Sequence, residues 1–218
     1  MENIILRPET ESDHFTVEKL TREAFWNLYV PGCDEHYLVH IMRGHPDYVK
    51  ELAHVAELDG ELVGSIHYTN SRLSGDHGDP INTMTFGPLC VLPRYQRKGV
   101  GTMLINLTVE LVRQRGFSHI ITYGDPHNYF KHGFRNGRDY GISDPQGEFP
   151  LGLLVLELEK GRLGEGPWKF KESDVYNVDK SKIDEYDKRF PVKEKKSHYS
   201  QALFSVMCRA VVKEIEIT

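Results

Sequence analysis

The chain has 218 residues, 39% of them hydrophobic and 27% charged, with a formal net charge of −5, which suits one folded domain or one domain with an appendage. Its 27 basic residues are dispersed rather than striped, which excludes nucleic acid as an expected partner and mildly favours a cationic one. No run approaches the ~18 apolar residues of a membrane span. No signal-peptide pattern is present, and Cys33, Cys90 and Cys208 read as reduced thiols of a cytoplasmic protein.

In chain order, Ile4 to Arg7 predicts a short strand ended by Pro8. Thr10, Ser12 and Asp13 offer caps for a helix over 13–28, with Val17, Leu20, Ala24 and Leu28 on one face. Pro31-Gly32 breaks it, and a second helix is expected from Asp34 to Arg43. Runs at 52–58 and 61–70 flank Asp59-Gly60 and predict a hairpin with a two-residue turn. The loop from Gly75 to Pro80 leads to a β-rich stretch over 83–91, interrupted by Gly87-Pro88. Pro cannot donate to a ladder and Gly weakens one, so this strand should bulge or part from a neighbour.

Gln96-Arg97-Lys98-Gly99-Val100-Gly101-Thr102 then opens a periodic helix. Val100, Met103, Leu104, Leu107 and Leu111 recur at helical spacing, and Gly116 is placed to end it. A strand at 118–123, a short helix at 126–131 and a strand at 151–158 follow. The order β-α-α-β-β-β-α-β-α-β predicts an α/β fold, a mixed sheet with helices on both faces.

The composition shifts beyond Glu159, giving a predicted division into a domain over 1–160 and an appendage over 161–218. Trp168-Lys-Phe170-Lys alternates like an edge strand, Ser181 to Arg189 reads as a short helix, and 193–196 is a solvated charge run. Leu203, Val206, Met207, Ala210 and Val211 keep helical spacing. That stripe is expected to pack on the core or on a second subunit, which makes a homodimer an option.

A strand, a basic glycine turn and a helix N-terminus in series make an anion site. Unbonded N–H groups and the positive end of the helix dipole meet phosphate oxygens, and small residues permit close approach. A Walker loop would need Lys after Gly101, and a dinucleotide fingerprint would need Gly where Leu104 stands.

Gln96-x-x-Gly99-x-Gly101 after a bulged strand resembles the pyrophosphate loop of the GNAT superfamily of acyl-CoA-dependent N-acyltransferases. A second segment, Tyr129-Phe-Lys-His-Gly133-Phe134 after Gly124-Asp125-Pro126, is similar to that family's Tyr-x-x-x-Gly-Phe stretch. The resemblance covers about residues 3–158. It implies a central splayed sheet, acetyl-CoA as donor, and transfer of the acetyl group to a primary amine by direct attack on the thioester. It further implies that Gln96, Arg97, Lys98, Gly99, Val100, Gly101 and Thr102 hold the pyrophosphate. Backbone near Leu89, Cys90 and Val91 would pair with the pantetheine arm, and Tyr129 would protonate the leaving thiolate.

The general base stays open. No carboxylate lies in the stretch 81–86, and Glu57, His67, His36 and Glu23 are the remaining candidates. Cys33, His36, His40 and His45 have partial metal-ligand spacing, but no Glu follows His36 in the zincin manner, and no metal is expected. The acceptor is expected to be a cationic small molecule or peptide amine, from the net charge and the acidic loop Asp76–Asp79. Acetylation of a protein, and a catalytically silent acyl-CoA-binding module, are the alternatives.

Overall fold

In the computed structural model, which describes residues 3–75, 79–164 and 166–213, the chain opens with β1 (Ile4–Pro8). The Thr10 N–H donates to the Asp13 carboxylate at 2.8 Å, and Arg7 grips the same carboxylate at 2.7 Å. One tight turn at Glu11–Asp13 therefore leads directly into α1 (His14–Phe25). Leu28, predicted inside that helix, lies past its end. α2 (Glu35–Met42) buries His36, Val39 and Met42.

β2 (His54–Leu58) and β3 (Glu61–Gly75) form the predicted hairpin. β3 runs well past residue 70 because its second half has neighbours on both sides, β4 (Ile81–Val91) and a strand from the C-terminal region. The acidic loop expected at Asp76–Asp79 lies outside the described residues, apart from Asp79 itself.

α3 (Val100–Gln114) ends at Gly116, whose φ is 79°. It buries Val100, Leu104, Ile105, Thr108 and Val112. The predicted stripe through Met103, Leu107 and Leu111 is thus turned aside: Met103 is 36% exposed and the two leucines are half-buried. Thr108 causes the rotation. Its hydroxyl meets the buried Tyr68 hydroxyl at 2.9 Å and bonds to the Leu104 carbonyl at 2.8 Å, so a polar residue occupies the core side.

β5 (His119–Tyr123), α4 (Pro126–Tyr129), β6 (Arg135–Asn136), β7 (Ile142–Ser143), β8 (Leu153–Glu157) and β9 (Trp168–Lys171) follow. α5 (Ile183–Asp187) and α6 (Tyr199–Arg209) close the described chain. The sheet order is β1-β2-β3-β4-β5-β8-β6, with β9 joined to β3 and β7. Side chains alternate across it, as strands require. Val55 and Leu62 pack with Val17, Leu20 and Val39 on the α1–α2 face. Ala56 and Val63 pack with Leu104 and Ile105 on the α3 face. Leu73, Ile121, Ile142, Val155 and Phe170 meet in one cluster, so the far half of the sheet curls round them.

Residues beyond 160 pack on this frame. Arg22, 1% exposed, makes a two-pronged pair with Asp187 at 2.6 and 2.9 Å, and the Tyr186 hydroxyl donates to Glu18 at 2.6 Å. Phe190 stacks on Phe15 at 5.3 Å and Phe204 on Tyr29 at 4.0 Å. Burying an arginine costs several kcal/mol unless a partner meets it, so Asp187 is required by α1. Tyr199, Leu203 and Val206 of α6 remain exposed.

Candidate active site

β3 advances two residues, Ile66 to Tyr68, where β4 advances three, Phe86 to Leu89. The surplus residue is the bulge expected at Gly87-Pro88. On its other edge β4 pairs with β5 only at Met84 and Ile120, and the Thr122 hydroxyl then donates to the Phe86 carbonyl at 2.8 Å. Beyond that point the two strands separate, because β5 ends at Tyr123 and the Gly124 N–H turns to the Gly152 carbonyl. The gap lies beside Gly87 to Val91.

The basic glycine turn begins where β4 ends. Gln96 Nε2 donates to the Val91 carbonyl at 3.0 Å, tying the loop to the strand. Arg97 and Gly99 stand at φ 60° and 90°, left-handed conformations that glycine adopts without strain. Among the described residues, the N–H groups from Arg97 to Thr102 find no acceptor, and Arg97 makes no ion pair. Six unbonded donors at a helix N-terminus fit a phosphate anion. A Cβ on Gly101 would meet only Val91 Cγ2, at 3.8 Å, and one on Gly99 would meet nothing within 4 Å. Lys98 Nζ lies 5.5 Å from the centre of the Tyr95 ring.

Cys90 points away from the gap. Its Sγ lies 3.2 Å from Ser65 Oγ and 3.4 Å from Thr21 Oγ1, beneath α1, and burial pushes the thiol up to about 11. Only its backbone can serve a ligand. Leu89 and Val91 face the α3 cluster.

Tyr129 ends α4, its ring 5.5 Å from Phe86 and 5.8 Å from Phe134. A Cβ on Gly124 would lie 2.5 Å from that ring, so glycine there admits the close approach. The phenol oxygen makes no hydrogen bond among the described residues. Burial, then the nearby Tyr29 and Asp125, push its pKa up, and the hydroxyl stays protonated at neutral pH.

The four candidates for a base are engaged elsewhere. Glu57 accepts from Arg7 at 3.0 Å and Glu23 from Lys193 at 2.7 Å. His67 Nε2 lies 3.3 Å from Glu9, and His36 Nε2 3.1 Å from Asp187 without a formed hydrogen bond. The histidines of the 33–45 stretch also diverge. His36 meets Cys33 at 3.2 Å, His40 meets Glu18 at 3.1 Å, and His45 accepts the Asp47 N–H at 3.2 Å. Among the described residues no three His, Cys, Asp or Glu side chains are grouped to hold a metal ion.

Two other carboxyls are pushed up to about 7 by burial: Glu35 and Glu172. Glu35 accepts the Asp34 N–H at 3.1 Å. Glu172 follows β9 and makes no hydrogen bond among the described residues. Tyr176 stands beside it, its hydroxyl donating to the Gly87 carbonyl at 3.3 Å. The sequence held one signal for Glu172. The alternation Trp168, Phe170, 172 places it on the inward face of the strand it follows.

Residues 19–134 match the Acetyltransferase (GNAT) family. An 83-residue stretch is 34% identical to the uncharacterized N-acetyltransferase YjhQ of Escherichia coli (strain K12), covering 38% of this chain and 45% of that protein, so the match spans less than half of the relative. Among solved structures, the GNAT family N-acetyltransferase YhbS of Escherichia coli in complex with CoA superposes with a TM-score of 0.69 at 19% identity. It covers 81% of this chain and 93% of that one. A GNAT family acetyltransferase from Brucella melitensis in complex with acetyl-CoA gives 0.63 at 21%, covering 81% and 99%. More than half of the chain, including the bulged strand, the glycine turn and Tyr129, lies within the family match. The chain therefore belongs to the acetyltransferase (GNAT) family.

Proposed function

We propose that this protein is an N-acetyltransferase that moves the acetyl group of acetyl-CoA to a primary amine by direct attack on the thioester. One observation carries the reading: the gap in the sheet beside Gly87 to Val91 leads directly to six unbonded N–H groups at the start of α3. The relatives YhbS and the Brucella melitensis protein, crystallised with CoA and acetyl-CoA, support it.

In this reading Arg97 to Thr102 bind the pyrophosphate, and Gln96 holds their loop against Val91. Leu89 and Val91 offer backbone groups to the amide-bearing arm as an added strand would. A spare N–H there serves the oxyanion, and Tyr129 gives its proton to the departing sulfur. Acetyl-CoA supplies the activated acyl group. The test is calorimetric titration with acetyl-CoA, followed by thiol release with spermidine, glucosamine and an Nα-blocked lysine. Absence of both binding and turnover would refute the proposal. Tight binding with no turnover in any amine or peptide would favour a silent acyl-CoA-binding module, a reading kept by the absence of a carboxylate from β4.

A further inference from the structure

The polar face of β3 and β4 near the gap is unusual for a buried surface. Ser71 and Thr83 bond to each other at 2.8 Å, and Thr69 bonds to Tyr176 at 3.4 Å. Thr85 stands opposite Thr69 in the ladder and shares its face. It is 2% exposed, and its hydroxyl has no hydrogen-bond partner among the described residues. A buried hydroxyl left without a partner is costly, and a ligand group that meets it would remove that cost.

Residues 172–176 cover this face. Tyr176 lies over the bulge, 3.8 Å from where a Cβ of Gly87 would be. A cleft of about 350 Å³ opens alongside, with Glu172, Ser71 and Asn70 among its walls. Glu172 acts on the phenols of both Tyr123, at the end of β5, and Tyr176. Tyr176 in turn donates to the Gly87 carbonyl of the bulge at 3.3 Å. Among the described residues, the other charged or titratable groups here include the Lys171–Asp174 pair at 3.8 Å, Arg72 of β3, Asp47 and His45 from the loop after α2, Asp144, which acts on Tyr123, and Tyr68, which acts on Tyr176.

We propose that residues 172–176 form the acceptor side of the site, where Glu172 receives a primary amine as its ammonium ion and takes its proton. This rests on the acetyl-transfer reading above. An N–H bond of the ammonium breaks and an O–H bond forms on Glu172, which frees the nitrogen lone pair. That nitrogen then bonds to the acetyl carbon as the C–S bond breaks. Tyr129 protonates the sulfur, and a second N–H proton of the amine restores the phenol. One proton leaves through Glu172 to solvent. Held up near 7 by burial, Glu172 is a stronger base than an ordinary carboxylate near ~4.3. Glu35 is less suited, because its carboxylate caps the start of α2.

The experiment is the pH profile of kcat/KM for the best amine among spermidine, glucosamine and Nα-blocked lysine, with the acetyl-CoA Kd measured in parallel. Glu172→Gln should lower kcat/KM by about 10²–10⁴, abolish the rise centred near pH 7, and leave the acetyl-CoA Kd unchanged. Glu35→Gln and His45→Gln should each keep that rise. Thr85→Val, equal in size and free of the idle hydroxyl, should raise the amine KM several-fold without lowering the melting temperature. A wild-type profile in Glu172→Gln, loss of the rise in Glu35→Gln or His45→Gln, or an unchanged KM in Thr85→Val would overturn the proposal. Wild-type protein that neither binds nor turns over acetyl-CoA would overturn the transferase reading itself.

Discussion

Replacing Tyr129 with Phe separates chemistry from packing at this site. The ring lies against Phe86 and Phe134 at 5.5 and 5.8 Å, and Phe keeps both contacts. The hydroxyl donates to no other described group, so the usual loss of about 0.5–1.5 kcal/mol for a deleted hydrogen bond does not arise. Stability should therefore stay within about 0.5 kcal/mol of wild type. If Tyr129 protonates the leaving thiolate, kcat should fall by about 10²–10⁴, which corresponds to about 3–5 kcal/mol on the barrier. Thiol release followed with a chromogenic disulfide gives kcat, calorimetry gives the acetyl-CoA Kd, and a thermal melt gives stability. Loss of kcat with Kd and melting temperature intact supports the assignment. Parallel loss of all three would make Tyr129 a packing residue. Full activity would remove it from the site.

Gly101→Val should raise the acetyl-CoA Kd by at least about tenfold, or about 1.4 kcal/mol, because its side chain enters the anion site. Folding should be spared, since the new Cβ meets Val91 only at an ordinary 3.8 Å, and wild-type affinity by calorimetry would refute the loop assignment. Asp187→Ala leaves Arg22 buried without its partner and should cost about 3–5 kcal/mol in denaturant unfolding; a loss below about 1 kcal/mol would show that solvent reaches Arg22. Burial holds His36 down at about 4 from an ordinary 6.5. Between these values the unfolded state binds more protons, so stability should fall as pH drops from about 6.5 to 4, and His36→Phe should flatten that slope in melts across the range.

What the sequence alone determined was local and periodic. The bulge at Gly87-Pro88 is legible because Pro lacks a donor, and the turn at 96–102 because glycine and a helix start are local chemistry. The hairpin at Asp59-Gly60 and the order of strands and helices follow from period and turn residues. Tertiary structure decided the rest. Thr108 lies outside the apolar stripe expected of its helix, and Tyr68, 40 positions away, supplies the hydrogen bond that lets it be buried. The extension of β3 to Gly75 depends on β9, nearly 100 residues later, and strand pairing over such a separation leaves no local trace. Arg22 and Asp187 stand 165 positions apart, and only the fold brings them together as a pair. The alternation of Trp168 and Phe170 carries Glu172 to the inward face, but nothing local says which groups it meets there. Its nearness to Tyr123 and Tyr176 exists only because the sheet curls and carries the C-terminal chain back over the bulge.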